Sequence, residues 1–197
     1  MRWDSLFDDL EGQLEHELRA EELDQHAEEE RVRIGRLALR DRLLAVQDGA
    51  ERDADRAVRI ILNSGEQVEV RTLSFGRDWF TAQLVGDGRR PVQCLVPLSG
   101  VATLVLTRAQ LELSLAPAPE QSTLAARLTL PFVLRDLCRR RAAVDVRTVL
   151  GDVHGTIDRV GRDHFDLATH ESGKPRRERS VIDYRTIPLG QLLFLRL

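Results

Sequence analysis

Lysine is almost missing from this chain. Lys174 is the single one in 197 residues, and the rest of the basic charge is arginine. Arginine stays protonated and presents a planar set of donors. A GC-rich coding bias would produce the same lysine poverty, so composition alone does not point to anion binding. Cysteine is nearly as scarce: Cys94 and Cys138 stand alone and far apart. Two cysteines make no disulfide framework, and the expectation is reduced thiols in a cytoplasmic protein. No apolar run approaches the roughly 20 residues that a bilayer span needs. No basic start followed by an apolar stretch and a small-residue cleavage site opens the chain, so neither export nor membrane insertion is expected. A glycine-rich phosphate loop, a nucleophile elbow and an HExxH string are also missing. The chain therefore reads as not an enzyme, with no catalytic residue, cofactor or metal nominated.

What is present is unevenly charged. Residues 1–30 hold twelve acidic side chains and two arginines, a net of -10, while the chain as a whole carries -3. The remainder is therefore at +7. The acidic stretch reads as an amphipathic helix over residues 2–30. Trp3, Leu6, Phe7, Leu10 and Leu14 recur at spacings of three and four, which places them on one face. A second helical segment is expected at about 32–46.

A repeat dominates the rest. Gly76-Arg77-Asp78-Trp79-Phe80 returns as Gly161-Arg162-Asp163-His164-Phe165, and each copy ends some twenty residues later in a Pro-Leu pair, Pro97-Leu98 and Pro188-Leu189. Upstream, Leu39-Arg40-Asp41 returns as Leu134-Arg135-Asp136. Five short alternating runs surround the first copy, with turns at Asn63-Ser64-Gly65, Gly76-Arg77-Asp78 and Gly86-Asp87-Gly88. That is the pattern of a small barrel. The alternation of Leu111, Leu113 and Leu115 suggests a sixth strand. Ala116 to Glu120 reads as a linker, and Ser122 or Thr123 as the cap of a helix over about 124–141 that Pro131 should break. The second set of strands begins at Ala143, turns at Gly151-Asp152, and passes Gly155, a mid-strand glycine suited to a sharp bend. Its fourth and fifth strands are expected at 179–184 and 187–197. The resulting fold class is α+β, mainly β. The domain plan is an N-terminal helical region at 1–48, a first barrel at 49–116, linker and helix at 117–141, and a second barrel at 142–197.

Leu150-Gly151-Asp152-Val153-His154-Gly155-Thr156-Ile157, Gly161 to Leu167, and Val181-Ile182-Asp183-Tyr184-Arg185 together resemble the Sm-like (Lsm) family, within the wider class of SH3-like small barrels. The first unit resembles it more faintly, from Leu62 to Phe80 and Val92 to Leu98. The resemblance implies a helix followed by five bent antiparallel strands, in tandem, with RNA or DNA as a conceivable ligand of the second barrel. The family's second motif ends in a basic residue followed by glycine, whereas Tyr184-Arg185 is followed by Thr186. As a whole the chain also resembles a group of actinobacterial proteins to which no activity attaches.

Two surfaces are nominated. The N-terminal stripe, Trp3, Leu6, Phe7, Leu10 and Leu14, is read as protein-binding, because an isolated helix of this kind is marginal until its face is covered. Self-association, as a dimer or larger homo-oligomer, or an unidentified protein partner would cover it. Arg139, Arg140, Arg141 and Arg185, with Lys174, Arg176, Arg177 and Arg179 of a hairpin tip, are read as the alternative, a nucleic-acid surface. An enzyme or metal reading would need His164, Asp166 and His170 to converge, since even separations put them on one strand face.

Overall fold

A computed structural model describes residues 4–51, 56–86, 92–117, 124–173 and 180–197, with side chains in the first helix described only for residue 16 and beyond, apart from 17 and 20. The chain divides into two compact units, Met1–Ala38 and Leu39–Leu197. The first is one helix, α1 (Asp4–Gly35). Its later turns carry pairs three residues apart, Arg31 to Glu28 at 3.2 Å and Arg33 to Glu30.

The second unit runs α2 (Leu39–Gly49), β1 (Ala57–Leu62), β2 (Gln67–Phe75), β3 (Trp79–Val85), β4 (Val92–Pro97), β5 (Val101–Val105), α3 (Arg108–Ser114), α4 (Leu130–Arg139), β6 (Ala143–Thr148), β7 (Gly151–Val160), β8 (His164–Thr169), β9 (Tyr184–Pro188) and β10 (Leu192–Arg196). Helices and antiparallel strands are mixed as the sequence implied. The ten strands make one open sheet, in the order β5-β1-β2-β3-β4-β10-β6-β7-β8-β9. The first five positions and the last five follow the same plan: last strand, then first to fourth. The halves join because β10 pairs with β6 on one side and with β4 on the other, Leu195 opposite Leu95 and Arg196 opposite Cys94.

The repeated strings have repeated roles. In each glycine turn the Gly N–H donates to the carbonyl three residues on, Trp79 or His164, at 2.9 Å. A Cβ at Gly76 would lie 2.2 Å from the Trp79 ring, and one at Gly161 would lie 2.6 Å from the His164 ring. The glycine is therefore required by the ring folded over it. The leucine of each Pro-Leu pair donates back to the aspartate carbonyl of the turn, Leu98 to Asp78 at 3.0 Å and Leu189 to Asp163 at 2.7 Å. Arg40 Nε donates to the Gly76 carbonyl at 2.7 Å, and Arg135 Nη2 to the Gly161 carbonyl at 3.3 Å. The two Leu-Arg-Asp strings, one opening α2 and one in the second turn of α4, thus lie at matching places relative to the glycine turns.

Two cores follow. One gathers Leu43, Leu44, Val58, Ile60, Phe75 and Phe80 beneath the first half. The other gathers Leu134, Val144, Val146, Ile157, Phe165 and Leu167 beneath the second. They interlock at β10, where Leu193 and Phe194 enter the first and Leu192 and Leu195 the second.

Three expectations change. Leu111, Leu113 and Leu115 do not form a sixth strand. Thr107 and Gln110 make a reciprocal capping box, so the segment is the helix α3, a pattern that satisfies two orphan N–H groups. The fourth strand of the second half starts at Tyr184 and takes in Ile187 and Pro188. The residues just before it are held instead by Thr169, whose backbone N–H donates to the Asp183 carbonyl at 2.9 Å. The fifth strand then begins only at Leu192. Pro131 does interrupt the helix near 124–141: a short 3₁₀ turn at 124–127 precedes α4, where the proline occupies the first turn. The proposed caps Ser122 and Thr123, and much of the linker, lie outside the described residues.

Candidate interaction site

The nominated residues are scattered. Trp3 lies outside the described residues, as do Lys174, Arg176, Arg177 and Arg179. Leu6, Phe7, Leu10 and Leu14 belong to α1, but their side chains are not described. Farther along α1, Leu18, Leu23, Val32 and Ile34 are exposed. The four described arginines each sit beside a carboxylate. Arg139 and Arg140 both engage Asp136, the latter at 2.6 Å; Arg141 reaches Asp158 at 3.0 Å, and Arg185 reaches Asp183 at 3.3 Å. Such exposed pairs add little stability, but three carboxylates beside four arginines leave little net charge for a phosphate to meet.

His164, Asp166 and His170 do not converge. His164 Nδ1 lies 2.8 Å from Asp163, Asp166 accepts from Thr186 at 2.7 Å, and His170 is buried with Nε2 2.9 Å from Thr156 Oγ1. The ring that meets His170 is His154, edge-on at 5.0 Å, itself 2.7 Å from Asp145. Strand register produces this grouping, since Asp145 stands opposite His154. No set of three or more metal-ligating side chains gathers among the described residues.

The most developed surface is where the halves meet. Trp79 and Leu95, from the first half, are buried in the second core beside Leu130, Leu134 and Leu195. The Trp79 indole N–H donates to the Leu128 carbonyl at 3.0 Å, and the Arg77 N–H reaches the same carbonyl at 2.9 Å. Asp78 Oδ1 accepts from the Leu130 N–H at 2.7 Å, so a side chain of the first half caps α4 of the second. Arg147 and Glu66 form an ion pair across the junction at 3.1 Å. β4 thus fills the slot along the flank of β10, with Leu95 in the core that holds Leu130 and Leu134 of α4.

The equivalent slot in the first half is open. Leu39, Arg42, Ala102, Thr103, Leu104, Leu106 and Leu111 line a hollow of about 360 Å³ beside β5. Sequence reasoning did not find it, because its walls come from α2, β5 and α3 and its existence depends on strand order.

No protein-family model, no curated protein and no solved structure matches the chain. The likeness to Sm-like proteins therefore rests on the residues quoted above.

Proposed function

We propose that this chain is a non-enzymatic protein-interaction module that self-associates, built of two Sm-like small barrels in tandem behind an acidic helix. The repeated strand order and the repeated turn hydrogen bonds support the tandem reading. The observation that carries self-association is α1. Thirty-two residues of helix form a unit of their own, with Leu18, Leu23, Val32 and Ile34 exposed. Helices draw most of their stability from packing an apolar face, so a second α1 is the economical cover.

Light scattering on the full-length protein, purified at low salt and read with its ultraviolet absorbance ratio, tests this. The expected result is a mass above one chain, nucleic-acid-free, that falls to one chain in the double variant Leu10→Glu, Leu14→Glu. A single-chain mass at every concentration overturns self-association. Co-purifying nucleic acid released by salt would favour the alternative reading, in which the second half binds RNA or DNA.

A further inference from the structure

We infer that the hollow beside β5 is a receptor for an extended, apolar β-strand of a partner protein. The internal repeat provides the argument. β5 and β10 hold the same place in their halves: each follows a 3₁₀ turn, at Leu98–Gly100 and Leu189–Gln191, and each flanks the first strand of its half. Leu39, which begins α2, and Leu134, in the second turn of α4, hold the same place relative to the glycine turns, fixed by the neighbouring arginine's bond to the turn glycine. In the second half the flank of β10 away from β6 is filled by β4, with Leu95 opposite Leu195. Leu134 is fully buried there. In the first half no described strand of the Leu39–Leu197 unit takes the matching flank of β5. Leu39 is only half-buried, Leu111 is 44% exposed, and Ala102 and Thr103 are exposed.

The strand itself is unguarded. Edge strands are normally protected by charge, proline or cover, and Val101-Ala102-Thr103-Leu104-Val105 has neither charge nor proline. Among the described residues it pairs with β1 alone. Beyond Val105, α3 takes over the edge of β1, where Gln110 Nε2 donates to the Ala57 carbonyl at 2.8 Å. Among the described residues the hollow thus offers a strand edge without a neighbour, flanked by aliphatic side chains together with Arg42 and Thr103, the arrangement that strand addition uses.

The occupant is defined by what the filled slot holds. β4 brings Leu95, and Trp79, the first residue of its neighbour β3, lies in the same core. Counting back from Pro97 and Pro188, β9, the other edge of the sheet among the described residues, has Thr186 at the Leu95 place and Arg185 where β4 has Cys94, and its neighbour β8 begins with His164 where β3 begins with Trp79. A second copy's β9 would therefore bring Thr186 where the filled slot takes Leu95, to walls that are aliphatic apart from Arg42 and Thr103, and a foreign strand with an aliphatic residue at the Leu95 place fits better. This site does not require self-association.

The test is nuclear magnetic resonance on the full chain with synthetic peptides. One copies residues 92–98 with Cys94→Ser, one is the same peptide with Leu95→Asp, and one copies residues 183–189. The expected result is saturable shift changes in the amides of residues 101–105 with the first peptide, lost with the second. The protein variants Leu111→Glu and Ala102→Arg, both at exposed positions, should weaken binding about tenfold or more while keeping the native spectrum elsewhere. No binding, or shifts centred on β10 instead of β5, overturns the inference. Equal or tighter binding of the 183–189 peptide also overturns it, in favour of a second copy. The sample's mass, measured alongside, separates the two proposals: peptide binding by a single-chain species leaves the receptor standing and removes self-association.

Discussion

Cys94 lies between the sheet and the first core, and burial pushes its thiol up to about 11. Thiolate is the reactive form, so Cys94 should resist alkylation near pH 8 in the folded protein and react only on unfolding; intact-mass analysis with and without denaturant checks this. Asp183 behaves in the opposite sense. A hydrogen bond from the Thr169 hydroxyl, then one from Arg185, holds its carboxyl below the usual aspartate range. A depressed carboxylate contributes stability that is present above its unfolded pKa and is lost as pH falls through the folded one. Thr169→Val should raise the Asp183 pKa toward the ordinary aspartate value, as followed by the pH dependence of its carboxyl carbon resonance. Glycines were the residues most legible in the sequence. Gly155 is read from the sequence as a bend; what the structure shows there is a close approach, since a Cβ would stand 2.4 Å from the Ala168 carbonyl oxygen, while the register shift of that strand pair falls between Ile157 and Arg159. The grouping of His154 with His170 was not legible, because it depends on which strands lie side by side and in what register.

At the level of elements, the paired turns show how one framework has taken two uses. Gly-Arg-Asp followed by a ring builds the same loop twice, yet Trp79 is 7% exposed at the junction while the His164 side chain is 44% exposed. Trp79→Ala should therefore destabilise by about 3–5 kcal/mol, and His164→Ala should fall in the range of about 0.5 kcal/mol typical of surface changes. Denaturant titration of both variants reads the difference. Gly155→Ala should cost about 1–3 kcal/mol, because the added methyl meets backbone that cannot move aside. The paired strings announced the strands and turns well, since local alternation and glycine placement decide them. α3 shows where that logic fails. Three leucines two apart in sequence read as strand, but Thr107 and Gln110, three apart, cap a helix. The stronger signal was present in the sequence and was outweighed by the alternation.

For the molecule as a whole, the order of strands in the sheet differs from their order in the chain, and no local pattern could announce it. Nothing in Leu192 to Arg196 distinguishes a strand at a border from one between two halves. Because β10 contributes to both cores, they should melt together. Phe194→Ala, in the first core, and Leu195→Ala, in the second, should each lower a single unfolding transition, with tryptophan fluorescence and far-ultraviolet dichroism coinciding. Two separated transitions would mean that the halves are independent.

The central seam of the sheet is closed by the strand that is synthesised after the other nine. On the ribosome the first half must wait, its flank beside β4 bare and its core lacking two side chains, until translation has passed the second. A chaperone that shields β4 during that interval would be shielding the same kind of strand that we expect the β5 hollow to capture from elsewhere.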